Sequence, residues 1–113
     1  MTHKGDAMKT YRQGDVLVIE VRDVPQDTTE VPRENGRIIL AHGEVTGHSH
    51  AIASPDAVLL SFGGERGMER YLRALRPVEL RHEEHAKIDL PAGNYRVVIQ
   101  REYRPEGIVN VAD

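Results

Sequence analysis

Short apolar runs recur along this chain at roughly ten-residue intervals, divided by Gly, Pro and Asn, a rhythm that predicts an all-β sandwich or small barrel. In a strand, side chains two apart share a face, so alternation marks the half-buried elements. Strands are expected at Asp15–Arg22, Arg37–His42, Gly47–Ala53, Ala57–Phe62, Val78–His82, Lys87–Leu90 and Asn94–Tyr103. The last shows the cleanest pattern: Tyr95, Val97 and Ile99 fall on one face, Arg96, Val98 and Gln100 on the other. Turn signals stand at Glu34-Asn35-Gly36, Ser54-Pro55-Asp56, Gly63-Gly64 and Pro91-Ala92-Gly93-Asn94, residue types that supply tight-turn backbone angles. Val24–Pro32, polar and holding two prolines, reads as a loop, and Gln13-Gly14-Asp15 as a turn. The first ten residues read as a flexible leader before a single β-rich domain over residues 11–113.

Glu65–Arg76 supports two readings. Met68, Tyr71, Leu72 and Leu75 lie at i, i+3, i+4 and i+7, one face of a short helix that Pro77 would end. The β-rich flanks favour instead a strand near Arg70–Ala74.

Composition narrows the functional classes. A length of 113 residues suits one domain. Val and Ile supply 19 residues against 8 Leu, and branching at Cβ favours the pleated sheet. With no Cys, disulfides, thiolate nucleophiles and cysteine-ligated zinc or iron–sulfur sites are excluded. A net charge of −3 gives no electrostatic reason to expect nucleic-acid binding. No apolar run is long enough for a membrane-crossing helix, and no signal peptide opens the chain, so a cytoplasmic location is expected.

The candidate chemistry lies in histidine. Six are present, four of them in two tight pairs. His48 and His50, two apart around Ser49, present both imidazoles on one face, with Ile52 continuing that face inward. Imidazoles so placed can grip one divalent cation as neutral ligands. His42 and Glu44 share their parity if the strand runs unbroken, although Gly47 invites a bulge. His82 extends the inward face of Val78 and Leu80, whereas the direction of His85 depends on the loop at Glu83-Glu84. The pairs could equally be a polar turn and a charged surface loop. His82 and His85 are three apart, which excludes the HExxH zinc-protease pattern. Together His48, His50, His82, His85 and Glu44 form the candidate metal set. Zn, Fe, Ni, Mn or Cu would suit it, with Asp56, Glu83 or Glu84 as further carboxylates. Two His and a carboxylate would leave positions open for chemistry; four His would close a structural site.

Gly43-x4-His48-x-His50 resembles the first motif of the cupins, and Leu90-Pro91-Ala92-Gly93-Asn94-Tyr95 the PxG turn of the second. The resemblance implies a small β-barrel holding a metal on two His, a Glu and a third His, often for oxygenase, isomerase or sugar-modifying chemistry. It assigns His48 and His50 as ligands. The Glu it expects falls on Ser54 or Pro55 and the last His on Arg96, leaving Asp56 or Glu44 and His82 or His85 to stand in. The stretches GEVTGHSHA, LRHEEH, LPAGNYRV and QREYRP also resemble small uncharacterised bacterial and phage proteins.

Arg96, Arg101 and Tyr103 are candidate substrate-binding residues, since Arg and Tyr recognise carboxylate or phosphate; an exposed, charged strand end is the plainer alternative. Gly63-Gly64-Glu65-Arg66-Gly67 lacks the ending of a phosphate-binding loop. The expected function is a divalent-metal-binding β-domain, with or without catalysis on a small molecule. The rival is a non-catalytic module that binds a protein partner through an edge such as Ile108–Val111. Homodimerisation through an exposed edge is a further expectation.

Overall fold

The alternating stretches pair into one antiparallel sheet that carries most of the chain. A computed structural model describes residues 8–43, 47–64, 67–100, 103–104 and 107–108. The strands are β1 (Thr10–Gln13), β2 (Val16–Val21), β3 (Thr29–Glu30), β4 (Ile38–His42), β5 (Ser49–Ile52), β6 (Ala57–Gly64), β7 (Gly67–Ala74), β8 (Val78–Leu80), β9 (Ile88–Leu90), β10 (Gly93–Ile99), β11 (Tyr103–Arg104) and β12 (Gly107–Ile108). Six of them form the sheet β1-β2-β10-β7-β6-β3, and β4–β5, β8–β9 and β11–β12 are separate hairpins. The sheet ends at β1 and β3, so no closed barrel forms among the described residues.

Burial follows the period of two. Val16, Val18, Leu59, Leu72, Tyr95 and Val97 of the sheet share one buried cluster with Ile38, Leu40 and Ile52 of the first hairpin and Val78, Leu80 and Leu90 of the next. Each Leu, Ile or Val so buried contributes about 1.5–3 kcal/mol relative to exposure. A backbone bridge joins the two hairpins, in which Ala51 and Arg81 exchange both N–H···O bonds at 2.9 Å.

One open alternative is settled and two expectations are corrected. The strand favoured near Arg70–Ala74 is found in place of the helix: β7 runs from Gly67 to Ala74 and pairs with β6 on one side and β10 on the other. Met68 and Leu75, two of its four apolar positions, are 69% and 65% exposed, so the helical face never assembles. Two neighbouring strands satisfy β7's backbone, and that outweighs local periodicity. The alternation was hidden because Arg70 shares the inward parity of Leu72 and Ala74, donating from Nη2 to the Leu40 carbonyl at 2.6 Å. Burial lowers the pKa of this guanidinium.

The loop read over Val24–Pro32 contains β3, an edge strand in which Thr29 and Glu30 pair with Ser61 and Leu60. Two polar residues at an edge carry no hydrophobic signal. Gln13, read as part of a turn, ends β1 opposite Val16. Only Gly14 and Asp15 turn the chain, with Gly14 at φ 60°, a left-handed angle that suits glycine in a two-residue hairpin loop.

Candidate metal centre

The site is assembled from three places in the chain, each held by backbone pairing. The first is the β4–β5 hairpin. Its register shifts between Ile39 and Ala41, leaving Leu40 as the extra residue of a bulge, 1% exposed and in the core. Beyond the bulge, His50 lies opposite Ala41, and Ser49 opposite His42. His42 accordingly leaves the cluster and meets Glu34 at 3.2 Å on the surface. The Gly43 N–H donates to the His48 carbonyl at 2.8 Å. A Cβ on Gly43 would stand 2.9 Å from the His48 Cβ, so a side chain there would force His48 from its place.

The second is the loop between β8 and β9. Leu80 pairs with Ile88, which leaves residues 81–87 as the connection rather than a two-residue turn at Glu83-Glu84. That length lets the chain bring both His82 and His85 back over the hairpin. The ring centroids of His50 and His82 are 4.3 Å apart, those of His82 and His85 4.6 Å, His48 and His82 5.6 Å, and His50 and His85 5.9 Å. All four histidines of the two pairs are therefore neighbours.

The third place is β1. Gln13 is 2% exposed, and its Nε2 donates to the carbonyls of Leu80 and Ala86, both at 3.0 Å. With both amide hydrogens so placed, Oε1 is left to face His50 Nδ1 at 2.8 Å. An amide oxygen only accepts, so Nδ1 is the donor, and a neutral His50 keeps its lone pair on Nε2. This second contact orients the ring in the manner common behind metal-ligating histidines. Nε2 lies 3.9 Å from Oδ1 of Asp15, in a ring only 2% exposed.

His48, His82 and Glu83 each offer a ligand atom within 4.8 Å of the others. The main-chain N–H of Glu84 donates to His82 Nδ1 at 3.0 Å. The lone pair is thus on that nitrogen, and an ion binding there takes over from this N–H. Glu84 also brings a carboxylate oxygen to 3.9 Å from His48 Nδ1. Glu83 accepts from the Ser49 N–H at 2.9 Å. That bond, then its own N–H, then nearby His48 and His82, hold its carboxyl below the ordinary carboxylate range. A carboxyl group must be deprotonated before it binds a cation, and the low pKa favours that form here.

Of the other candidates, Arg96 alternates with Tyr95 and Val97, and its Nη2 approaches Glu69 at 3.8 Å, placing it on the sheet face opposite the core. Glu44 and Arg101 lie outside the described residues, and for Tyr103 only its strand pairing with Ile108 is described. Sequence reasoning weighed Glu83 as one of several carboxylates and passed over Gln13, whose role depends on a contact 37 residues away in the chain. No local pattern encodes such a contact; alternation from Tyr11 to Gln13 ahead of a Gly-Asp turn was the available hint.

No curated protein and no solved structure matches this chain, and the family found is not the cupins. Residues 12–100 match the model of a family described as a domain of unknown function, DUF8820, and with most of its length covered the chain belongs to that family.

Proposed function

We propose that this domain binds one divalent cation through His48, His82 and Glu83, with His50 and His85 packed against the same centre. The observation that carries the reading is the convergence of those three ligand atoms within 4.8 Å, from two segments 34 residues apart. Two imidazoles and a carboxylate without sulfur suit Zn, Fe(II), Mn or Ni. Three ligands leave at least one position on a four-coordinate ion for water or substrate, which supports metal-dependent chemistry on a small molecule over a closed structural site. The HxH of the cupin resemblance supplies His48 to this set. Two hairpins sharing one core with the large sheet support a sandwich as the finer description of the fold.

The test is elemental analysis of protein purified without a histidine tag, before and after loading with Zn²⁺ and dialysis. Near-stoichiometric metal is expected in the parent and at least a tenfold weaker affinity in His48→Ala/His82→Ala. Equal metal content in parent and variant would overturn the reading. So would a parent that takes up none.

A further inference from the structure

Beside the histidines lies a cleft of about 250 Å³, just below the roughly 300–1,000 Å³ typical of pockets for drug-sized ligands. His82 and Glu83 line one part of it, Ala51 and Ala53 give an apolar wall, and Arg37, next to β4, completes it. The nearby guanidinium groups differ in what they hold. Arg81, also at the cleft, places Nε and Nη2 on Oε1 of Glu79 at 2.9 and 2.6 Å. Arg33 donates to the carbonyls of Gly36, Ser54 and Ala57. The guanidinium of half-buried Arg37 has no hydrogen-bond or ion-pair partner among the described residues. Ser49, also lining the cleft, is 4% exposed, and its buried hydroxyl lacks a hydrogen-bond partner there.

We infer that this cleft binds a small carboxylate-bearing molecule, the carboxylate on Arg37 and the rest of the molecule toward His82 and Glu83. This inference deepens the metal-site reading and rests on it for what the ligand's far end meets. A guanidinium meets a carboxylate in plane through two parallel N–H···O bonds. Arg81 is already neutralised by Glu79, which leaves one cationic group for one negative charge. The volume keeps the ligand small.

The test uses the full chain, ¹⁵N-labelled, metal-free and after Zn²⁺ loading, titrated with acetate, lactate and succinate, with inorganic phosphate as the rival anion. Saturable amide shifts are expected at Ala51, Ala53 and His82 for the carboxylates, with affinity about tenfold or more weaker in Arg37→Met. Arg37→Lys retains a charge without the planar fork and is expected to lose less; it also serves as the variant to read should Arg37→Met fail to fold. Carboxylate binding that depends on Arg37 in a protein taking up no Zn²⁺ supports the anion site and removes the metal reading. Zn²⁺ uptake without saturable carboxylate shifts, or with shifts indifferent to both Arg37 variants, overturns the anion site and leaves the metal centre standing. Phosphate binding more tightly than every carboxylate overturns the ligand class.

Discussion

The six-stranded sheet and the two hairpins beneath the histidines are held by different kinds of contact. Within the sheet, β6 and β7 pair without interruption from Ala57 opposite Ala74 to Gly64 opposite Gly67, and β10 is bonded on both sides. Each bond there has neighbours doing the same work. Among the described residues the hairpins are tied by the backbone bridge of Ala51 and Arg81, by the Glu83 carboxylate on the Ser49 N–H, by the histidine rings, and through Gln13 of β1, whose amide spans Leu80, Ala86 and His50. The scaffold is redundant, whereas the site rests on contacts that are fewer and more varied in kind. Geometry at the centre should therefore be lost more easily than the fold.

The largest effect is expected from Leu72→Ala, which empties a fully buried position at the middle of the sheet. A loss of about 2–5 kcal/mol is expected in chemical denaturation. Because sheet and hairpins share one core, both should unfold in a single transition. Separate transitions for amides of β7 and β5 would show the two regions to be independent and break the comparison.

Gln13→Ala should come next. It strips donors from two carbonyls and the acceptor from a buried ring, and about 2–3 kcal/mol is expected, since each buried group left unsatisfied costs roughly 1–3 kcal/mol. The sharper readout is ¹⁵N NMR of His50, where the preference for a proton on Nδ1 should disappear while β6, β7 and β10 keep their hydrogen-exchange protection. A tautomer unchanged by the substitution would mean that something other than Gln13 orients the ring.

The smallest effect concerns acid. The Glu83 carboxyl is lowered from its ordinary 4.5, chiefly by the Ser49 N–H. A depressed carboxylate contributes its tie above the unfolded value and loses it as pH falls through the folded one. The Ser49 amide shift should therefore titrate with a midpoint below 4.5, with little change in global stability because Glu83 is exposed. Glu83→Gln should abolish the titration. A midpoint at or above the ordinary value would show that this contact does not favour the ionised carboxyl.

How much was legible in the sequence follows the same division. Strands whose alternation meets a core, such as β2 and β10, were readable because burial repeats every second residue. β7 was ambiguous, since inward-facing Arg70 interrupts the apolar series and Met68 and Leu75 suggested a helix face that solvent occupies. In the site, the HxH spacing was enough to mark His48 and His50 as candidates, and it is the ring of His82 that meets both. The arrival of His85 was not legible, because it depends on how residues 81–87 cross between β8 and β9. Gln13 was invisible for a more general reason: an amide has no periodicity, and its partners lie 37 to 73 residues further along the chain.

The Ala51–Arg81 bridge joins residues that immediately follow His50 and precede His82. Parting that rung and scattering the imidazoles are consequently one motion. An ion held between His48 and His82 would act as a rivet across that seam, and its binding free energy would add to the resistance of the seam to opening.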